Sequence, residues 1–254
     1  LHSIAGELDR NPSVDSIHRP FRSPHHTSSQ IALVGGGSTP KPGEISLAHR
    51  GVLFLDEIPE FPRSVVEALR QPLEDGRINV SRASQSLSFP AQFQLVATMN
   101  PCPCGFLNSE IKDCICSPHQ IVSYRKRISR PILDRSDIYL KVPSVKLEEL
   151  QASPREKTEL TKLRDLIDRT RVKQLQRNNG VLNSRIPTSE INSTVEITGR
   201  AQLLLEKAAE QFIISGRGYH RLLKVSRTIA DLQGSEIVDS AHVAEALQYR
   251  LSQD

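Results

Sequence analysis

Two adjacent carboxylates follow a short apolar run, and of all the residues in this chain they most clearly suggest chemistry. The run is Val52–Leu55, and Asp56 and Glu57 come directly after it. An uninterrupted apolar run of this length predicts a strand buried on both faces of a parallel sheet. Open α/β sheets bind their ligands at the carboxyl ends of the strands. Because an unpaired buried carboxylate costs free energy, these two acids are expected to serve a cation or a reacting water.

The segment Gly51–Glu57 has the form of a Walker B motif. In that motif the aspartate, here Asp56, holds Mg²⁺ on a bound nucleotide, and the glutamate, here Glu57, polarises the attacking water. The predicted cofactors are therefore ATP and Mg²⁺. The alternative interpretation is a strand that runs into an acidic turn. The phosphate-binding Walker A sequence, Gly-x-x-x-x-Gly-Lys-Ser/Thr, does not occur in the 254 residues.

All the cysteines of the chain lie within one short segment. They are Cys102, Cys104, Cys114 and Cys116. This clustering indicates a metal-binding loop rather than a secreted disulfide framework. Thiolates in such a set can hold Zn²⁺ tetrahedrally, with His119 as a reserve ligand, and the alternative is a reduced or disulfide-linked loop. The pair His25 and His26 has no clear acid or cysteine partner, so a structural role is predicted for it.

Length and composition leave room for one large domain or for a domain with a smaller companion. The chain has 254 residues, of which 37% are hydrophobic and 24% are charged, and no apolar run is long enough to span a bilayer. The net charge of +4 permits an acidic partner such as nucleic acid without requiring one. Because the chain begins at Leu1 and its only methionine is Met99, it is expected to be part of a longer protein.

The predicted secondary structure that must position these residues changes from mixed α/β to all-helical near residue 143. Before this point apolar runs of strand length alternate with short helical segments, and beyond it only helical periodicity remains. We therefore predict an α/β domain over residues 1–143 and a helical domain over residues 144–254. The predicted strands are Ile31–Val34, Val52–Leu55, Phe93–Thr98 and Ile138–Val142, with a hairpin of Ile78–Arg82 and Ser86–Phe89. Phe93–Thr98, like Val52–Leu55, is expected to be buried.

The predicted helices follow apolar residues at helical spacing. In the first domain they are Leu1–Leu8, Glu44–His49, Ser64–Asp75 and Gln120–Ile128. In the second they are Leu147–Asn178, as one helix or a helix pair, then Gly199–Ser215, Tyr219–Gln233 and Ser240–Leu251. The apolar stripe expected to pack in the first of these is Leu160, Leu163, Leu166 and Ile167.

Several sequence motifs, in a fixed order, resemble those of the ComM/YifB family of magnesium-chelatase-like AAA+ ATPases. They are Arg19–Thr27, Gly35–Gly37, Pro42–His49, Gly51–Glu57 and Asn100–Gly105. The resemblance covers essentially the whole chain and implies an AAA+ parallel-sheet core followed by an all-α lid. It also implies a cytoplasmic, hexameric motor that acts on single-stranded or branched DNA as a branch-migration helicase in natural transformation. The family's Lon-like domain, its Walker A loop and the strand that carries this loop are expected before Leu1.

The resemblance also assigns roles to two residues of the first domain. Asn100 matches sensor 1, whose amide positions the attacking water and the γ-phosphate, and the alternative is an Asn-Pro turn residue. Arg135 matches the arginine finger, which stabilises transition-state charge at the neighbouring subunit's γ-phosphate, with Asp134 as an interface partner. The alternative for Arg135 is a surface salt bridge with Asp134 or Asp137, which would contribute little.

Three further arginines complete the set that the resemblance implies. Arg217 matches sensor 2, with Arg221 as the rival, and either guanidinium can bind phosphate oxygens bidentately. The alternative, an exposed arginine at a helix start, opposes the helix dipole. Arg82 lies near the tip of the predicted hairpin, where a basic residue suits sequence-independent contact with DNA phosphates, and the alternative is a solvated hairpin.

Two other functions compete with the DNA motor. One is a chelatase-type motor subunit that remodels a protein partner, and the other is a non-catalytic interaction module, since these residues contain no Walker A sequence. The presence of Asp56, Glu57, Asn100 and Arg135 argues against the second.

Overall fold

The structure is a computed structural model of the chain, and it describes residues 18–37, 40–82, 85–109, 111–143 and 157–251, together with Leu1 and Ala5. These residues form two compact units, Leu1–Arg135 and Ser136–Asp254. The first contains a parallel sheet and short helices and the second is helical, which confirms the predicted fold class. The predicted boundary at residue 143 lies slightly later in the chain than this division. Most of the predicted helix Leu1–Leu8 lies outside the described residues.

The first unit has short elements throughout. Its strands are β1 (Phe21–Arg22), β2 (Gly35–Gly36), β3 (Lys41–Pro42), β4 (Val52–Leu55), β5 (Arg77–Arg82), β6 (Gln85–Pro90) and β7 (Gln94–Ala97). Its helices are α1 (Gln30–Val34), α2 (Glu44–Leu47), α3 (Arg63–Ala68), α4 (Arg70–Asp75), α5 (Pro118–Arg125) and α6 (Arg130–Leu133), with a 3₁₀ turn at Ile58–Glu60. Antiparallel pairing joins β2 to β3 and β5 to β6, so the predicted hairpin is confirmed.

The sheet that positions the acidic residues has the order β1-β4-β7, and all of its strands are parallel. In β4 the side chains alternate, with Leu53 and Leu55 fully buried and Val52 and Phe54 only partly buried. The prediction of a strand buried on both faces was therefore wrong for one face. Strand β7 was predicted to be buried but is largely exposed, because β4 is its only pairing partner among the described strands.

Two local predictions in this unit were wrong. Residues Ile31–Val34 form the helix α1 rather than a strand, since the Ser29 hydroxyl accepts the Ala32 backbone N–H at 3.2 Å and caps the helix. The single helix predicted over residues 64–75 is divided into α3 and α4. Pro72 lacks the N–H that would bond to the Ala68 carbonyl, which accounts for the break.

The helical unit contains five α-helices among its described residues. They are α7 (Lys157–Arg177), α8 (Ile191–Thr194), α9 (Gly199–Gln211), α10 (Gly216–Leu232) and α11 (Ser240–Leu251), with a 3₁₀ turn at Asn183–Arg185. The predicted strand Ile138–Val142 is wrong, because this segment has no strand partner in the described part of the chain. It is attached instead by one backbone bond, from the Tyr139 N–H to the Tyr249 carbonyl at 2.7 Å. None of the helices that the structure describes is long and apolar enough to cross a membrane.

Helix α7 packs on its unit through the C-terminal part of the predicted face, and not through the apolar part. The expected apolar stripe is exposed, with Leu160, Leu163 and Ile167 each about half accessible to solvent. The buried side chains of the segment are polar, namely Thr170, Gln174 and Asn178. They follow Leu163 and Ile167 at spacings of three or four residues, so they continue the predicted stripe along the same face.

A buried ionic network explains why the polar end of this face packs. The Asp231 carboxylate accepts hydrogen bonds from Arg177 at 2.5 and 2.9 Å, from Asn183 at 2.8 Å and from Arg227 at 2.9 and 3.2 Å. Arg227 is 1% exposed and also donates to two backbone carbonyls. Burial alone would raise the pKa of Asp231, but these hydrogen bonds and the two guanidinium charges outweigh it and hold the pKa below its usual value.

Candidate functional site

The two acids lie at the carboxyl end of the central strand β4, and both are exposed to solvent. Glu57 has a left-handed backbone with φ 51°, a conformation that is unfavourable for a residue other than glycine. The chain then enters the 3₁₀ turn, and the Ile58 N–H donates to the Thr98 carbonyl at 2.9 Å. Strained backbone of this kind concentrates at functional sites, and here it places the Glu57 side chain beside the end of β7.

Thr98 joins the two acids. Its hydroxyl donates to the Asp56 carboxylate at 2.5 Å and accepts the Glu57 backbone N–H at 3.0 Å. Sequence reasoning assigned Thr98 only to a strand and missed this role. The role follows from the strand register, which the sequence alone does not give: Leu55 pairs with Ala97, so the next residues on the two strands are neighbours.

Asn100 completes the cluster, since its side-chain amide donates to the Glu57 carboxylate at 3.1 Å. The structure thus brings together Asp56, Glu57 and Asn100, which the sequence singled out. In the described part of the chain, neither acid forms an ion pair with a lysine, arginine or histidine. Exposed carboxylate oxygens without a protein counter-ion are the ligands that Mg²⁺ takes in nucleotide sites, so the donor set fits a magnesium-bound nucleotide.

The buried side chain of Tyr124 lies behind Asn100. Burial raises the pKa of the Tyr124 phenol, a hydrogen bond from the Asn100 backbone opposes this, and the nearby Glu60 and Glu57 charges raise the pKa further. Burial first, and then the two carboxylate charges, therefore favour the neutral phenol.

Arg135 lies in the same unit and is engaged by protein groups. Its guanidinium donates to the Pro131 carbonyl at 2.9 Å and forms a salt bridge with Glu74, and the side chain is 12% exposed. Sequence reasoning named Asp134 and Asp137 as candidate partners and missed Glu74. The finger role of Arg135 stays a prediction, and it would require release from Glu74.

Arg217 and Arg221 belong to the helical unit, in the first turns of α10. Ser215 caps this helix by accepting the Gly218 N–H at 3.2 Å. Arg217 is exposed to solvent, and Arg221 forms an ion pair with Asp137 at 2.5 Å. Their sensor roles stay predictions.

The proposed DNA-contacting hairpin is formed by β5 and β6, with Arg82 paired to Gln85 at the last described position of the ladder. Residues 83 and 84 and the side chain of Arg82 lie outside the described residues. The contact of Arg82 with DNA stays a prediction.

The cysteine sulfurs converge, all lying within 4.8 Å of one another, and His119 is not part of the group. A backbone hydrogen bond from Phe106 lowers the pKa of Cys104 to about 6, whereas desolvation raises the pKa of Cys116 to about 12. The rings of His25 and His26 pack 4.1 Å apart, and the His25 ring bonds to the Thr27 hydroxyl. These contacts fit the structural role predicted for the histidine pair.

Family comparisons define the class of protein. The family model for magnesium chelatase, subunit ChlI, matches residues 1–150, and the model for the ChlI C-terminal region matches residues 157–250. The chain therefore belongs to the magnesium-chelatase ChlI family of AAA+ proteins. The unit with the parallel sheet therefore corresponds to the AAA+ α/β core. The helical unit corresponds to the helical domain that follows this core.

Individual relatives confirm the resemblance to ComM and YifB. Competence protein ComM of Haemophilus influenzae is 48% identical over 232 residues, which are 91% of this chain and 45% of the relative. Uncharacterized protein YifB of Escherichia coli is 44% identical over 234 residues, with the same shares. The magnesium-chelatase 38 kDa subunit of Rhodobacter capsulatus is 26% identical over 230 residues, 88% of this chain and 58% of the relative. The chain spans about half the length of the curated relatives it matches.

Proposed function

We propose that the full-length protein is an ATP- and Mg²⁺-dependent motor that works as a hexameric ring on single-stranded or branched DNA. The observation that carries the nucleotide part is the cluster of Asp56, Thr98, Glu57 and Asn100 at the carboxyl ends of two adjacent parallel strands. Ligands of open α/β sheets bind at this edge.

Each residue of the cluster has a separate task in hydrolysis. Asp56 would hold the magnesium ion of the nucleotide, and Thr98 fixes the orientation of its carboxylate. Glu57 would orient and polarise the attacking water, and the Asn100 amide sets the position of the Glu57 carboxylate. These are positioning and electrostatic roles, which dominate phosphoryl transfer.

The ring part of the proposal rests on the arginines. Arg135 would leave Glu74 and reach the nucleotide of the neighbouring subunit, where a planar guanidinium stabilises transition-state charge better than an ammonium. Arg217 would act within its own subunit and relate the helical domain to the nucleotide state, and Arg221 is its rival for this role.

DNA is favoured over a protein substrate by the pattern of identity. The chain is 48% and 44% identical to ComM and YifB but 26% identical to a chelatase subunit. A basic residue, Arg82, near the tip of the β5–β6 hairpin and the net charge of +4 suit contact with phosphates. A motor that remodels a protein partner is the second candidate, and membership of the chelatase family supports it.

Stimulation of hydrolysis by DNA tests this function. We expect single-stranded or branched DNA to raise the ATPase rate of the full-length hexamer, and Arg82→Ala to remove most of the increase while leaving the basal rate unchanged. Arg77→Ala, at the base of the same hairpin, is the matched control and should retain stimulation. A rate that DNA does not change would contradict the DNA motor and would favour the chelatase-type alternative.

Thr98→Val in the full-length protein tests the hydroxyl between the two acids. Valine keeps the shape and removes a hydrogen bond to a charged group, which corresponds to about 1.5–3 kcal/mol. We therefore expect kcat for ATP hydrolysis to fall by about tenfold or more. Thr188→Val, at an exposed threonine of the helical unit, should leave kcat unchanged. Equal rates for Thr98→Val and wild type would remove Thr98 from the mechanism.

A further inference from the structure

We propose that Cys102, Cys104, Cys114 and Cys116 bind one Zn²⁺ and that this ion holds the sensor residue Asn100 in place beside Glu57. The metal-binding part stands independently of the proposed function, and the positioning part rests on it. The site is called the cysteine clip below.

The distances between sulfurs match a tetrahedral zinc site. The Cys102 Sγ lies 3.4 Å from the Cys104 Sγ and 3.7 Å from the Cys114 Sγ, and the sulfurs of Cys104 and Cys114 are 3.7 Å apart. Four sulfurs at the usual Zn–S distance of about 2.3 Å form a tetrahedron with edges of about 3.8 Å. A disulfide requires sulfurs at about 2.05 Å, and every cysteine of the clip is a free thiol.

Backbone groups around the sulfurs are arranged to receive negative charge. Hydrogen bonds from the backbone of Phe106 and Ile115 reach the Cys104 sulfur, and one from Cys116 reaches Cys114. Thiolates bound to zinc are stabilised by N–H donors of this kind. Four thiolates and one Zn²⁺ carry a net charge of about −2, and these donors offset part of it.

The loop around the clip has little apolar burial to order it. The described part of residues 101–117 contains no helix or strand, and Cys102 is its only fully buried residue. The apolar side chains of Ile111 and Ile115 are 72% and 81% exposed. Small segments that lack a hydrophobic core are commonly ordered by a structural metal, which is the task this geometry assigns to the clip.

Both ends of the loop that carries the cysteine clip are connected to Asn100. Cys102 is separated from Asn100 by a single proline, and Cys116 directly precedes Ser117, whose capping box begins α5. Helix α5 carries Tyr124, which receives a hydrogen bond from the Asn100 backbone. A metal that joins Cys102 to Cys116 therefore joins the end of β7 to the start of α5, and it fixes the peptide from which the Asn100 amide reaches Glu57.

Metal content is the first test. Chain purified without chelator or added metal should contain about one zinc per chain, and Co²⁺ exchanged into it should give the intense thiolate-to-cobalt absorption of a tetrahedral site. Cys114→Ser with Cys116→Ser should lose both signals, and His119→Ala, the matched control at a nearby histidine outside the cysteine group, should keep both. Reduced wild-type chain that is folded by circular dichroism, holds no zinc and gives no cobalt absorption would overturn the site.

Proteolysis tests whether the metal orders the loop. Lys112 is the only lysine or arginine between Cys102 and Cys116, and it is exposed. Removal of zinc from wild-type chain by a chelator should speed tryptic cleavage after Lys112 by about tenfold or more, because cleavage tracks the opened population. Cleavage after Arg200, in the helical unit, should not change. Equal rates at Lys112 with and without zinc would overturn the ordering role.

Comparing the effects of substitutions on kcat and on ATP affinity tests the positioning of Asn100. In the full-length protein, the double serine variant should lower kcat for ATP hydrolysis and leave the affinity for ATP close to wild type, as Asn100→Ala should. Loss of kcat in both variants with zinc retained in Asn100→Ala supports the assignment. Wild-type kcat in a metal-free double serine variant would overturn the link to Asn100 while leaving the zinc site intact. Absence of ATPase activity in the wild type would instead contradict the proposed function.

Discussion

Glu57→Gln in the full-length protein is expected to abolish ATP turnover while ATP binding is retained. Glutamine preserves the size of the side chain and the bond from Asn100, but it cannot polarise the water as a carboxylate does. Loss of a positioned general base lowers kcat by about 10²-fold or more. Asp56 remains available to hold magnesium, since its bond from Thr98 does not involve the Glu57 side chain. Steady-state hydrolysis and equilibrium binding of a fluorescent ATP analogue measure the two effects.

Glu60→Gln is the matched control for this experiment. Glu60 lies three residues further along, in the same 3₁₀ turn, and pairs with Arg127 on the surface at 3.0 Å. Exposed pairs of this kind contribute about 0–1 kcal/mol, so Glu60→Gln should hydrolyse ATP at nearly the wild-type rate. If Glu57→Gln also hydrolysed ATP normally, Glu57 would have no part in the chemistry.

The second large effect is expected from Asp231→Asn, which removes the charge at the centre of the buried network in the helical unit. The substitution leaves Arg177 and Arg227 without their counter-ion, and Arg227 is almost completely buried. Breaking a buried pair by removing one partner costs about 3–5 kcal/mol. We expect a corresponding fall in the denaturant midpoint of the helical unit, followed by circular dichroism. Asp165→Asn, on the exposed side of α7, should change stability by less than about 0.5 kcal/mol.

The pH dependence of stability gives a second measurement of the same residue. The pKa of Asp231 is lower in the folded chain than its usual value of 3.8, so its stabilising contribution is present above pH 3.8. That contribution is lost as the pH falls below 3.8 and through the folded-state pKa. Wild-type chain should therefore lose more stability than Asp231→Asn over this interval. Parallel curves for the two proteins would show that Asp231 is not the titrating group.

The cluster of acids could be predicted from sequence because its information is local. Asp56 and Glu57 follow an apolar run directly, and Asn100 follows another, so strand ends alone bring them to one edge. Thr98 could not be assigned, because its role depends on the register between β4 and β7. The partner of Arg135 could not be assigned either, since Glu74 is distant in sequence and is brought near only by tertiary packing.

The packing of α7 shows that periodicity predicts the face of a helix that packs but not which part of that face is buried. The apolar stripe was predicted to be buried because burial of apolar surface usually dominates. In this unit the ionic network around Asp231 fixes the C-terminal end of the helix through Arg177 and Asn178, while the apolar part of the same face stays exposed. Hydrogen-bond geometry between separate elements decides the outcome, and a pattern of hydrophobic residues does not encode it.

The left-handed backbone of Glu57 also has a consequence for the evolution of stability. A non-glycine residue in this conformation costs about 1–2 kcal/mol, and glycine would relieve the strain. The fold could thus be made more stable at position 57 by a change that deletes the carboxylate on which the proposed activity depends. Stability and activity are opposed at this residue, so stabilising changes compatible with function must be sought elsewhere in the chain.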